Sequence, residues 1–442
     1  MNFFGLFSQS PAMDTPPSLP TYSTAFSLPA SQPPSLQSKT ILSKSEVRNR
    51  IKGLLFGAAL GDAMGLATEF LTKAQAKHVY PSFLPVSFKT FIRDGHRNRW
   101  NEGDFTDDTD QMLLIIHTLL ASNSLALNPL VLAANLRTWV HEGIPSLQKR
   151  ACGIGMSVGQ AIRSEDFLTN PSNASFKVWQ RSKFQLAANG AVMRTAILGV
   201  PFFWDEGVVV KQTVDAAMVT HADPRCILSC IVVTLLVSRM LQGKLGSLEN
   251  EDSLEAVETV VPLNAVKYNP TPIKSLGQDE TCTALIREIL EEYNDPIMNM
   301  YKDPTIPFDV KHHVSKIESH VFPDSLQSLE LDQHDSIGYT LKCLGSAAYC
   351  FSRSFHPKNL DPFELKEMEG FGNDYKGELF KRIVLELVME AGDADTNACV
   401  AGALLGCRIG FNSLPKDWLD GLQHKEYLEK MVDDICRLMD GE

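Results

Sequence analysis

Two short stretches, far apart in the chain, concentrate carboxylates and hydroxyls beside apolar runs. The first reads Gly103-Asp104-Phe105-Thr106-Asp107-Asp108-Thr109-Asp110 and passes straight into Met112–Ile116. The second reads Gly392-Asp393-Ala394-Asp395-Thr396-Asn397 and passes into Ala398–Gly410, rich in Ala, Gly and Leu. Each puts several acids and a threonine at the start of a predicted helix. Carboxylates are favourable there on their own account, because they satisfy free N–H groups and oppose the helix dipole. Either island alone therefore reads as a cap. Together they offer the hard oxygen ligands that Mg2+, Mn2+ or Ca2+ prefers. Brought close, they repel unless a cation sits between them. A pair of metals, with bridging aspartates and open positions for water or a diol, suits this donor set.

The elements that must position these islands are helices. Ser43 and Glu46 have capping-box spacing, and Val47, Ile51, Leu54 and Ala58 follow at helical intervals. Helical period or composition recurs over Asp110–Leu120, Pro129–Val140, Val208–Val219, Cys226–Leu241, Ser336–Phe351, Glu378–Met389 and Asn397–Ile409. Val86–Ile92 is ambiguous, and continuous β-branched strands bounded by turn residues are hard to find. The fold class is therefore all-α. Residues 1–42 are Ser/Thr/Pro-rich and read as a disordered tail. Residues 43–425 read as one compact helical domain, and 426–442 as a C-terminal helix. Between about 242 and 335 the composition shifts to scattered Pro and paired acids, which reads as a partly ordered insertion carrying a helix at Thr281–Tyr293.

Composition narrows the function classes. The net charge of −12 argues against broad binding to nucleic acid or to an anionic membrane. The nine cysteines form no CxxC pair and no zinc spacing, so reduced core thiols in a cytoplasmic or nuclear protein are expected. No apolar run is read as long enough to span a bilayer; the richest, Ile227–Leu241, carries Ser229, Ser238 and Arg239. The N-terminus has no basic n-region, and no arginine precedes Arg48, so neither a signal nor a transit peptide is expected, although organelle targeting by the tail stays open.

Thr106-Asp107-Asp108-Thr109 early and Asp393-Ala394-Asp395-Thr396-Asn397 late resemble the paired hallmark blocks of the ADP-ribosylglycohydrolase family, which includes the glycohydrolase that reactivates dinitrogenase reductase. Further matches occur in the family's order: Gly57–Phe70, Gly153-Ile154-Gly155, Asn189–Arg194, Thr220–Pro224 and Gly338-Tyr339-Thr340. The likeness spans about residues 46–411, without the insertion. It implies a magnesium-dependent hydrolase that releases ADP-ribose from a modified protein side chain or a small-molecule conjugate. It implies two Mg2+ ions, with Mn2+ as a substitute, held by Thr106, Asp107, Asp108, Asp393, Asp395 and Thr396. Glu69 is then the acid–base residue beside Asp107 and Asp108. Asn189, Gly190 and Ala191 approach the diphosphate, and His221 contacts the ligand. Without the resemblance, Glu69 reads as a solvated loop acid and Asn-Gly as an ordinary turn. Asp62 is expected to make a buried hydrogen bond supporting the metal ligands rather than to cap or face solvent, and Arg194 to pair with a carboxylate of the fold rather than with phosphate. The family precedent is a monomer.

Two other classes compete. An all-α diphosphate lyase or synthase has an aspartate-rich motif superficially like Asp107-Asp108-Thr109-Asp110, but the spacing and the second island do not suit it. A catalytically inactive ADP-ribose binder would have lost metal ligands, and all of the expected ones are present.

Overall fold

A computed structural model describes residues 39–81, 86–245, 279–299, 301, 310–353 and 375–441. Among these residues there is no β-strand, only isolated bridges. In chain order the first helices are α1 (Lys44–Gly65), α2 (Lys73–Val79), α3 (Asp107–Leu120), α4 (Pro129–Glu142), α5 (Met156–Ile162), α6 (Pro171–Arg181) and α7 (Val192–Thr195). Then follow α8 (Glu206–Met218), α9 (Pro224–Leu241), α10 (Glu280–Asn299), α11 (Val310–Val321) and α12 (Thr340–Phe351). The last are α13 (Tyr375–Val388), α14 (Ala394–Ile409), α15 (Lys416–Gly421) and α16 (Lys425–Met439).

Several helices begin earlier than their apolar period suggests, because the first turn is polar and capped. α3 starts at Asp107 behind the N-cap Thr106, and α9 at Pro224 behind Asp223, whose side chain accepts from the Arg225 N–H. α12 is the reverse case: Gly338, at φ +74°, breaks the expected start at Ser336 and delays the helix to Thr340. The ambiguous Val86–Ile92 holds only a 3-10 turn at Phe88–Thr90.

α9 corrects one expectation. Begun at Pro224, it has 18 residues and is long and apolar enough to cross a membrane, yet it is wholly buried inside the fold. Its terminal arginines are paired, Arg225 with Asp223 at 2.6 Å and Arg239 with Glu206 at 2.9 Å. It is a core helix. In the stretch read as an insertion, α10 packs on α9, buries Cys282, Ile286 and Ile289 fully, and reaches Arg239 through Glu288 and Glu292. α11 lies so close to α12 that a Cβ on Gly345 would meet the His320 carbonyl at 2.0 Å. Residues 246–278, 300 and 302–309 of that stretch, and 1–38 of the tail, lie outside the described residues.

The core is organised by α1 against α14. Gly53, Gly57, Gly61 and Gly65 recur every four residues and form one row along α1. Facing them on α14, in reverse order, are Gly406, Gly402, Ala398 and Ala394. A Cβ added at Gly57 would sit 2.2 Å from the Gly402 carbonyl oxygen, and one at Gly61 would sit 1.9 Å from that of Ala398. The backbones therefore touch without intervening side chains, a separation only glycine permits. The antiparallel sense sets the C-terminal end of α1 against the N-terminal end of α14. α16 then covers the outside, tied by Arg48–Asp433 and Lys52–Glu429, both 2.5 Å, and by the His117–Tyr427 hydrogen bond at 2.7 Å.

Gly61→Val forces the two helices apart and is expected to destabilise the protein by roughly 3 kcal/mol or more, whereas Gly95→Ala changes stability by about 0.5 kcal/mol or less. A Cβ at Gly95 meets nothing within 4 Å. Urea unfolding reads both, and equal midpoints would show that the seam tolerates separation.

Candidate active site

The seam sets Asp62 of α1 beside the second island, and Asp62 ties the first island to both. Asp62, fully buried on α1, accepts from Thr106 N at 2.9 Å, Thr109 N at 3.0 Å and Thr109 Oγ1 at 2.6 Å. A carboxylate from α1 thus caps α3, and the expected buried supporting role is what the geometry displays. Thr106 Oγ1 donates to Asp108 Oδ2 at 3.1 Å and lies 3.3 Å from Asp395 Oδ2.

Two carboxylate groups result. Asp62, Asp108 and Asp395 each bring an oxygen within 4.8 Å of the others, and so do Glu69, Asp393 and Asp395. Asp395 belongs to both. Asp107 belongs to neither; it lies at the edge, where Gln111 Nε2 donates to its Oδ2 at 2.9 Å. Its Oδ1 faces Gly153, whose φ of +89° lets the backbone pass where a Cβ would stand 2.3 Å from that oxygen.

The first island's acids divide by their partners. Lys149, itself buried, pairs with Asp110 at 2.9 Å and Asp104 at 3.2 Å, and Asp110 also accepts from Trp139 Nε1 at 3.1 Å. Among the described residues, Asp107, Asp108, Asp393 and Asp395 have no lysine or arginine partner. Asp108 Oδ1 is buried without any hydrogen-bond partner. Nor does Asp393 serve α14 as a capping side chain: its Oδ2 accepts from Asn189 Nδ2 at 2.8 Å. Capping therefore does not account for these acids.

Their protonation reflects this. Burial first, then Asp108, Glu69 and Asp62, push Asp107 well above the usual carboxylate range. Burial, then Asp62 and Asp393, do the same to Asp108, and burial, then Glu69 and Asp108, to Asp395. Asp393 rises to about 6 through burial, restrained by the Asn189 hydrogen bond. A dense set of hard oxygen donors, each costly to ionise and one oxygen wholly unpartnered, fits a divalent cation.

A hydrogen-bonded chain leads away from Asp107. Gln111 Oε1 accepts from Arg194 Nη1 at 2.7 Å, and Arg194 Nη2 donates to Thr220 Oγ1 at 2.7 Å. Thr220 Oγ1 is 2.7 Å from His221 Nδ1. A hydroxyl that donates to Nδ1 leaves the His221 proton on Nε2. That Nε2 is buried without a partner, and a Cβ on Gly190 would be 3.2 Å from it. Burial, then Arg194, lowers the His221 pKa to about 3, so the ring is neutral. Arg194 departs from expectation: it meets no carboxylate directly and reaches Asp107 only through Gln111. Asn189 is fixed by its N–H to Gly338 O at 2.9 Å, and Thr340 N donates to Ala187 O at 3.0 Å. Among the described residues, neither the Gly190 nor the Ala191 N–H makes a backbone hydrogen bond.

Glu69 is buried, not a solvated loop acid, and its backbone bridges Gly392 beside the second island. Its side chain accepts from His96 Nε2 at 2.5 Å, and its carbonyl accepts from Arg97 Nη2 at 2.6 Å. Sequence reasoning passed over His96, Arg97, Gln111 and Lys149. The run His96-Arg97-Asn98-Arg99 has the composition of a solvated loop, and Gln111 and Lys149 belong to no readable pattern.

The family profile for ADP-ribosylglycohydrolases matches residues 43–442. The chain is 21% identical over 402 residues to the ADP-ribosyl-[dinitrogen reductase] glycohydrolase of Rhodospirillum rubrum, covering 89% of this chain and 97% of that one. It is 20% identical over 398 residues to the ADP-ribosylarginine hydrolase Tri1 of Serratia proteamaculans, covering 89% and 81%. It is 22% identical over 396 residues to an uncharacterised protein of Archaeoglobus fulgidus, covering 89% and 97%. In fold it is similar to a chain solved as an ADP-ribosylglycohydrolase-related protein complex, with a TM-score of 0.55 and 18% identity over 89% of this chain and 99% of the other. Helical architecture, acidic site and match over nearly the whole chain agree: this protein belongs to the ADP-ribosylglycohydrolase family of hydrolytic enzymes.

Proposed function

We propose that the protein is a magnesium-dependent hydrolase that cleaves the bond between the anomeric carbon of ADP-ribose and a modified protein side chain, releasing free ADP-ribose. The observation that carries this is the knot of buried carboxylates without lysine or arginine partners, Asp108 Oδ1 unpartnered among them. Thr106, Asp107, Asp108, Asp393, Asp395 and Thr396 would hold two Mg2+ ions, with Mn2+ as a substitute. When bound, such ions supply orientation of the ribose hydroxyls and of a water. A protein side chain as leaving group is supported by the names of the Serratia and Rhodospirillum relatives, which act on ADP-ribosylarginine and on dinitrogen reductase.

The chain's own groups divide the remaining work. Cleavage passes through an oxocarbenium-like state, so it needs negative charge near the anomeric carbon and a group that moves a proton. Glu69 moves that proton, exchanging it with the water or the leaving group. Asn189 holds Asp393 and presents the Gly190 and Ala191 N–H groups as a nest for the diphosphate. The neutral His221 offers its Nε2–H beside Gly190. Phe70, Ile154 and Met156, all exposed, follow Glu69 and Gly153 in sequence and offer apolar surface beside those residues.

Free ADP-ribose released from arginine-modified and serine-modified protein, with Mg2+ or with EDTA, is the direct test. Release is expected only with the metal, is expected to be abolished in Asp395→Asn, and is expected to fall about 100-fold or more in Glu69→Gln. Tight ADP-ribose binding without turnover on either substrate would instead mark a binding protein.

The carboxylates also make stability depend on pH in a definite direction. Folding raises the pKa of Asp107, Asp108, Asp393 and Asp395, so the folded chain holds more protons than the unfolded one. Their contribution is therefore full below the unfolded value near pH ~4 and is lost as pH climbs through and beyond about 6. In EDTA, scanning fluorimetry is expected to find wild type losing ground to Asp395→Asn between pH ~4.5 and ~7.5. Mg2+ at 100 times its dissociation constant is expected to restore wild type by about 2.7 kcal/mol. A difference between the two proteins that is flat with pH would reject the strained cluster.

A further inference from the structure

We propose that His96 is the positioning residue of Glu69: its Nε2–H holds the acid–base carboxylate toward the aspartates, and the segment Asp94–Trp100 is a clamp built for that purpose. This rests on the reading of Glu69 as the group that moves the proton.

Glu69 shares a tight carboxylate group with Asp393 and Asp395. Like charges there favour swinging a loop side chain outward to water. Two sets of contacts oppose that motion. The backbone is held by Arg97, which is buried and donates from Nε to Ala67 O at 2.8 Å and from Nη2 to Glu69 O at 2.6 Å. Arg97 is itself fixed by Asp94, whose Oδ1 accepts from Arg97 N at 2.7 Å and whose Oδ2 pairs with Nη1 at 2.5 Å. The Glu69 side chain is held by His96, Nε2 to Oε2, at 2.5 Å.

The imidazole, partly exposed, is held by several neighbours. Its ring lies 5.0 Å from that of Phe70 and 5.2 Å from that of Trp100. Arg99 Nη2 contacts Nδ1, and the Arg99 guanidinium lies 4.7 Å from the Trp100 ring centre. Arginine only donates, so Nδ1 must accept, and the ring proton stands on Nε2 facing Glu69. The tautomer that can hold Glu69 is thereby set by a neighbour. A surface histidine has no use for such an arrangement. With the ring so held, its Nε2–H restrains the rotation that would carry the Glu69 carboxylate away from the aspartates.

His96→Phe retains a ring between Phe70 and Trp100 but removes the donor, while His96→Gln retains a donor of similar reach. On ADP-ribosylated protein with saturating Mg2+, His96→Phe is expected to lower kcat roughly 10- to 100-fold while leaving KM and the ADP-ribose Kd within about twofold. His96→Gln is expected to stay within about fivefold of wild-type kcat. In a Glu69→Gln background, His96→Phe should cost nothing further, since the group it positions is gone. The inference is overturned if His96→Phe turns over like wild type, if His96→Gln fails as badly as His96→Phe, or if kcat falls only in step with lost ADP-ribose binding and thermal stability. Wild-type turnover by Glu69→Gln alone would instead overturn the reading of Glu69, so the two failures are distinguishable.

Discussion

Everything at the site depends on the contact of bare backbone between α1 and α14. Side chains normally keep helix axes 8–10 Å apart, at a distance set by what fills the contact. Here the row Gly53, Gly57, Gly61, Gly65 removes the filler, and the helices lie carbonyl against Cα. That closeness puts Asp62 beside Asp395 and Glu69 beside Gly392, and Asp62 in turn holds the α3 N-terminus. A seam of leucines would be as apolar and would hold the acids too far apart to share an ion.

The second organising device is selective neutralisation. The acids of the first island are equivalent by type, yet Lys149 reaches only Asp104 and Asp110. What remains, Asp107 and Asp108 with Asp393 and Asp395 from the other helix, is a concentration of charge that the fold leaves uncompensated. Natural proteins rarely bury unpaired charge without a purpose, because the desolvation cost is large. The pattern separates acids that serve the fold from acids that serve a ligand.

Much of this was readable from the chain alone. Helical period fixed the class, and polar-then-apolar junctions at Thr106 and Asp393 marked the two helix starts that carry the site. The family blocks supplied the expectation that they meet. What escaped was relational. The glycine row is visible in α1, but nothing in the sequence says which helix faces it. Lys149 and Gln111 stand at no telling interval from their partners, so their roles appear only in three dimensions. Arg194 looked like half of an ion pair and proves to be the middle of a hydrogen-bond chain running from Asp107 to His221. Helix α9, read as too short to matter to a membrane, gains length from its capped polar start and satisfies its apolar surface inside the protein.

The antiparallel seam has a consequence for biosynthesis. α1 leaves the ribosome more than 300 residues before α14, so the contact that organises the core closes a long loop. Until that closure, Asp107 and Asp108 stand apart from Asp393 and Asp395 in water, where their charges cost nothing. The repulsive centre is therefore complete only once that long loop has closed. A nascent or truncated chain lacking α14 would expose the glycine face of α1 as an unfilled groove, a surface for quality-control machinery to recognise.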